Sequence, residues 1–173
     1  MSALHVWGET APCKGVVLDS VVTAGRGLER LYREDGVRLW RALVAFSGDR
    51  EVASDAVSEA FAQALGRGDE IRDPQRWVWR AAFRIAAGEL SDRRRFQEPA
   101  HDSSYEMEEP PGPLIAALAR LSPNQRATLV LRYYAGYSTK EIARMIGATA
   151  ATVRVHLSQG RRRLRRILED HDG

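Results

Sequence analysis

STKEIARMIGATAATVRVHLSQGRRRLRRIL, residues 138–168, decides the reading of this chain. It divides into a helix, a tight turn at Gly147 and a second, strongly basic helix. Three positions carry the pattern: Ala143 in the first helix, Gly147 four residues later and Val153 six beyond that. A helix-turn-helix crosses its helices so closely that the first must present a small side chain. Its turn needs a residue tolerant of positive φ, and its second helix needs an apolar anchor facing back. All three demands are met, so the segment is expected to put a helix into DNA.

Charge along the chain points the same way. The net charge of +3 hides a division. Residues 97–112 carry five acidic side chains and no Lys or Arg, whereas residues 113–173 carry eleven basic and four acidic ones. Six of those arginines lie between Arg154 and Arg166. A basic block set off by an acidic stretch suggests a nucleic-acid face. A single cysteine, Cys13, excludes an internal disulfide, and Lys14 alone gives it no strongly basic surroundings that would make it reactive. The four histidines, at 5, 101, 156 and 171, form no metal-ligand spacing. No metal or other cofactor is expected. With no apolar run of membrane-spanning length and no signal-peptide pattern, a cytoplasmic protein is expected.

The periodicity is helical throughout, which predicts an all-α fold: two small helical domains joined by a flexible acidic linker. The linker, QEPAHDSSYEMEEPPG over residues 97–112, is too polar to bury a core. Three helices are expected before it. The first spans about 28–46, with Leu31, Leu39, Leu43 and Phe46 on one side. The second spans about 49–65, with Val52, Ala56, Val57 and Phe61 inward. The third starts at Asp73-Pro74, carries Trp77, Phe83, Ile85 and Leu90, and ends in Arg93-Arg94-Arg95. After the linker, helices are expected from Pro113 to Leu121 and from Ser122-Pro123 to Tyr134, before Ser138 caps the next one. The first 26 residues read equally as a strand or helix lead-in around Gly15–Leu18 or as an unstructured extension.

In the basic helix, Val153, Leu157 and Leu164 fall on one face and should pack inward, leaving Thr152, Arg154, Val155, His156 and Gln159 pointing elsewhere. The turn from Thr149 to Thr152 offers backbone N–H groups to a phosphate. Arg154 suits the edge of a guanine. Arg161 and Arg162, with Arg163, Arg165 and Arg166, suit phosphates. His156 also fits a half-buried structural role.

Two separated blocks together resemble a known family. DAVSEAFAQAL (55–65), WVWRAAFRIAAGEL followed by RRR (77–90 and 93–95), and LSPNQRATLVLRYYAGYSTKEIARMIG (121–147) with TVR after it resemble the bacterial extracytoplasmic-function (ECF) sigma factors of the sigma-70 family. The first two resemble the promoter-melting domain and the third the −35-reading domain. The resemblance implies a division into an N-terminal extension of unknown role (1–26), a region 2-like domain (27–96), the acidic linker (97–112) and a region 4-like helix-turn-helix domain (113–170). It implies an initiation factor, not an enzyme, that binds core RNA polymerase at its clamp helices and flap and reads the −35 and −10 elements of promoter DNA. An anti-sigma factor is a further candidate partner, and the free chain should be a monomer.

Site residues follow from the same resemblance. Asp55, Glu59 and Gln63 are implied to dock on the polymerase. Arg67 and Arg72, in the loop likened to the family's base-holding loop, join Arg76, Trp79, Arg80, Arg84, Arg93 and Arg94 as the −10 and melting set. Trp77 is assigned to the core and Trp79 to the DNA side. The linker's acidity fits either a mimic of nucleic acid in the polymerase cleft or a solubilising spacer. Where the family has Lys-Ser-Arg this chain has Arg154-Val155-His156, so its −35 site should differ; Arg84 and Gly88 stand where the family often has Asn and Asp. The competing reading is an autonomous helix-turn-helix regulator whose first block senses a ligand or dimerises; it predicts tight duplex binding without polymerase.

Overall fold

The computed structural model describes residues 14–95 and 112–170, without the side chains of residues 14–24 and Arg94. Cys13, His101, His171 and all of the acidic linker but Gly112 lie outside the described residues, so the readings placed on them are not addressed. Among the described residues seven α-helices run in chain order: α1 Lys14–Ser47, α2 Arg50–Arg67, α3 Pro74–Arg95, α4 Pro113–Ala119, α5 Pro123–Leu129, α6 Thr139–Ile146 and α7 Ala150–Glu169. Among the described residues there is no strand, and no helix is long and apolar enough to cross a membrane. The open reading of Gly15–Leu18 resolves as helix: α1 runs without a break from Lys14 through residue 26.

Caps set the helix starts. Asp49 Oδ1 accepts from the N–H groups of Glu51 at 2.7 Å and Val52 at 3.1 Å, opening α2. Such a cap contributes about 1 kcal/mol. Asp73 Oδ1 accepts from Arg76 N–H at 3.1 Å just before Pro74 opens α3. Reciprocal capping boxes start α5 (Ser122 with Gln125) and α6 (Ser138 with Glu141). The helix expected to run from Pro123 to Tyr134 changes form part-way: Val130–Tyr134 is a π-helical turn, with Ala135 N–H bonding Val130 O at 3.1 Å. The extra residue in that turn widens it, which periodicity alone does not announce.

Helices α1, α2 and α3 form one core from Leu39, Leu43, Phe46, Val52, Val78 and Phe83, all buried. Alanines at 53, 56, 60 and 64 are buried along α2, which lets its neighbours approach closely. Asp49 also binds Arg93 across the block at 2.6 Å. Helices α4 to α7 form a second core around Leu131, Ile142, Val153 and Leu157. The two blocks pack against each other, α1 on α4 and the end of α5, α3 on α6.

The phase of α3 corrects one expectation. Val78, Trp79, Ala82, Phe83 and Ala86 face the core, so Trp79 is buried at 2% exposure while Trp77 is only half-buried. Trp79 stacks on Phe83 with ring centroids 6.1 Å apart. Both tryptophans are large and apolar, and only the small alanines one turn on tell which face turns inward.

Candidate nucleic-acid interface

The geometry of the helix-turn-helix follows from its three key residues. Ala143 is buried in α6, and its carbonyl accepts from the N–H groups of Gly147 and Ala148. Gly147 adopts φ +69°, the left-handed region where a side chain would be strained. Val153 is fully buried, with Leu157 beside it and Leu164 packed on the same core. That fixes the rotation of α7 and leaves Thr149, Thr152, Arg154, Val155, Gln159, Arg161 and Arg162 exposed.

Four of these have local partners. Thr149 Oγ1 accepts from Thr152 N–H at 3.1 Å, so that amide serves the cap before any phosphate. Gln159 is 3.4 Å from Gln125 of α5, and Arg161 donates to the Tyr133 hydroxyl at 3.3 Å. Val155 is half exposed. His156 is half-buried, its Nδ1 enclosed and without a hydrogen-bond partner among the described residues. Gly160 is a residue the sequence reading passed over. A Cβ there would lie 3.2 Å from Leu129 Cδ1, so α7 crosses α5 where no side chain intervenes.

On the first block, Arg76, Arg80 and Arg84 recur at helical spacing along the exposed face of α3. Arg67, the last residue of α2, and Arg72 of the loop before α3 are exposed beside them, and Arg67 lies over the Trp77 ring at 5.4 Å. Arg67, Arg72, Arg76, Trp77 and Arg80 line a cleft of about 340 Å³ whose other wall comes from α6 and the turn before it, through Tyr137, Glu141, Arg144 and Met145. Two expected members stand apart. Arg93 is not on this surface as a free cation: Asp49 holds it, and although burial lowers its pKa, the Asp49 hydrogen bond together with the charges of Asp49, Glu89 and Glu51 raises it. Arg94 lies outside the described side chains.

Asp55 and Glu59 project from α2 and are exposed; Gln63 is half-buried and donates to Glu59 Oε1 at 2.7 Å. Burial raises the pKa of Glu89, at the far end of α3. No group of three or more His, Cys, Asp or Glu among the described residues is placed to hold a metal.

Comparison with known proteins matches residues 112–164 to the model of sigma-70 region 4. The ECF RNA polymerase sigma factor SigL of Mycobacterium tuberculosis is 29% identical over 158 residues, 83% of this chain and 89% of its own. The RNA polymerase sigma-E factor of Streptomyces antibioticus is 30% identical over 136 residues, 69% of this chain and 72% of its own. The chain belongs to the ECF sigma factors of the sigma-70 family.

The relatives align across both blocks of this sigma factor, where an autonomous regulator would share only the second. Its fold resembles CnrH, solved with the cytosolic domain of CnrY (TM-score 0.65, 19% identity, covering 90% of this chain and 96% of that one). It also resembles the sigma factor RpoE of Bartonella quintana, solved with the anti-sigma factor NepR (TM-score 0.64, 20% identity, covering 82% and 98%).

The sequence reading missed the groups that join the blocks of this sigma factor. Asp35 is buried and accepts from Trp79 Nε1 and from Gln75 Nε2. Arg38 stacks over Trp79 at 5.6 Å and donates to the backbone oxygens of Tyr134 at 3.2 Å and Ala135 at 3.0 Å. Burial, then the nearby Asp35 carboxylate, pushes the Tyr137 hydroxyl pKa upward. The one local signal was the Asp35–Arg38 pair at i, i+3, which by itself names no distant partner.

Proposed function

We propose that this sigma factor carries core RNA polymerase to a promoter by reading two DNA elements with its two blocks. The observation that supports it is the presence in one chain of two exposed basic surfaces, the outer face of α7 and the arginine stripe of α3. At −35, α7 enters the major groove. Arg154 takes a guanine edge, worth about 1–3 kcal/mol of discrimination, and Val155 meets a thymine methyl. Thr149, Thr152, His156 and Gln159 flank them, and Arg161 and Arg162 hold phosphates.

At −10, Arg67, Arg72, Arg76, Arg80 and Arg84 hold the backbone of the melted strand. Trp77, half-buried on the cleft, supplies an indole face; stacking of one base is worth about 1–3 kcal/mol. Arg93 leaves this set because Asp49 already binds it. Asp55, Glu59 and Gln63 meet the clamp helices of the polymerase, and the second block takes the flap. The working division is 1–26, 27–96, 97–112 and 113–170, with the acidic stretch spanning polymerase between the blocks. The factor works in the cytoplasm, as a monomer when free, catalyses no reaction of its own and is held by an anti-sigma factor.

Run-off transcription with purified core polymerase, with and without this chain, tests the reading. A promoter-specific transcript that needs the chain is expected. None at low salt on a matched template would sink it.

A further inference from the structure

A second hollow, of about 660 Å³, lies where α1 meets the helices of the second block. Its walls are apolar: Val44 of α1, Ile115 and Leu118 of α4, Leu129 at the end of α5 and Leu164 of α7. Leu114 and Tyr133 also line it and stay 52% and 61% exposed. Large apolar groups gathered around a concave place mark a site for a ligand or partner.

The charges around this hollow are of one sign. Arg41, Arg50 and Arg161 line it, and no Asp or Glu does. None of the three is ion-paired among the described residues. Arg50 lies over the Trp40 ring at 6.0 Å, and Arg161 donates to the Tyr133 hydroxyl at 3.3 Å. Aromatic groups of the lining thus steady two of the cations without neutralising them. An apolar hollow edged by uncompensated guanidinium groups suits a molecule with an apolar body and an anionic head.

We propose that this hollow binds an amphipathic carboxylate, a fatty acid of roughly ten to fourteen carbons. The alkyl chain lies between α1 and the apolar wall of α4, α5 and α7, and the carboxylate meets the arginines. The volume falls in the range of small-molecule sites, which favours such a ligand over a polypeptide. Because the ligand touches walls from both blocks, it binds best to the arrangement in which they are packed together. Occupancy therefore opposes any movement of α1 away from α4 and α7.

Calorimetric titration of the full chain tests this, with dodecanoate kept below its micelle-forming concentration, beside decanoate and 1-decanol. One saturable site is expected. Dodecanoate should bind about tenfold more tightly than decanoate, since each buried methylene contributes about three- to fourfold. The alcohol, lacking the charge, should bind about tenfold more weakly than decanoate. Arg41→Gln combined with Arg50→Gln should weaken dodecanoate about fivefold and leave 1-decanol unchanged. Both side chains are exposed, so this variant keeps the fold. Ala45→Phe, which fills the hollow from α1, should abolish binding of both. Far-UV circular dichroism checks that each variant is folded. No saturable binding of dodecanoate overturns the proposal and leaves the hollow to a polypeptide partner. Equal losses for acid and alcohol in the arginine variant overturn the placing of the carboxylate, as does no loss for either. Undiminished binding in a folded Ala45→Phe chain overturns the site itself.

Discussion

Trp79 donates its indole N–H to Asp35 Oδ2 at 2.5 Å, joining the middle of α3 to α1 inside the first block. Asp35 also serves Gln75 and pairs with Arg38, so one buried carboxylate sets three side chains. Asp35→Ala leaves buried donors unmatched and should cost about 1–3 kcal/mol in urea unfolding of the full chain. Asp35→Asn keeps an acceptor oxygen and should cost less than half as much. Equal losses would mean that the charge, not the hydrogen bonds, does the holding.

The proposed function puts promoter reading on α7 and polymerase docking on α2, and variants should separate them. Arg154→Ala should reduce discrimination at one −35 position by about 1–3 kcal/mol while core polymerase pull-down stays intact. The pair Asp55→Arg with Glu59→Arg should do the reverse. Loss of polymerase binding in Arg154→Ala would refute the division.

The crossing of α5 and α7 at Gly160 has no room to spare, with Leu129 Cδ1 3.2 Å from where a Cβ would sit. Gly160→Val should destabilise the second block by about 1–3 kcal/mol through overpacking, although a helix propensity scale alone would favour the change. Thermal unfolding monitored by circular dichroism reads the sign. A stabilised variant would show that the crossing relaxes freely.

Glu141 should give the protein part of its acid sensitivity. Hydrogen bonds from Ser138, chiefly, and the nearby Arg76 hold its carboxyl below the ordinary value of 4.5. A depressed native value means the carboxylate stabilises fully above the unfolded value and loses that contribution as pH falls through the native one. Wild type should thus exceed Glu141→Gln in stability at pH of about 6, and the gap should shrink as pH falls below 4.5. A gap that stays constant across this range would exclude the carboxylate as its source.

The fold was largely legible because its signals are local. Asp49, Ser122, Ser138 and Thr149 accept the N-terminal amides of their helices through their own side chains, and such residues announce helix starts in any sequence. Ala143, Gly147 and Val153 each meet a steric demand that a short window contains. What stayed hidden depends on partners far along the chain. The phase of α3 turned on whether Trp77 or Trp79 faced the core, and α1 decides that through Asp35. The seam between the blocks was invisible because Arg38 finds its acceptors almost a hundred residues away, on backbone atoms that every residue possesses. Gly160 read as a mild helix weakness, since nothing adjacent reveals that Leu129 needs its space.

The π-helical turn at Val130–Tyr134 has a consequence for how this joint would change over generations. Arg38 binds the carbonyl oxygens of Tyr134 and Ala135, not their side chains. Codons 134 and 135 can therefore drift widely without loosening the grip, provided the turn keeps its length. Codon 38 has no such freedom, because no other side chain spreads several donors in a rigid plane. A one-residue deletion inside the turn would be more damaging than most substitutions, since it would restore ordinary helical pitch and swing both acceptors away. Mutational scanning across residues 130–135 should accordingly find substitutions mild and indels severe.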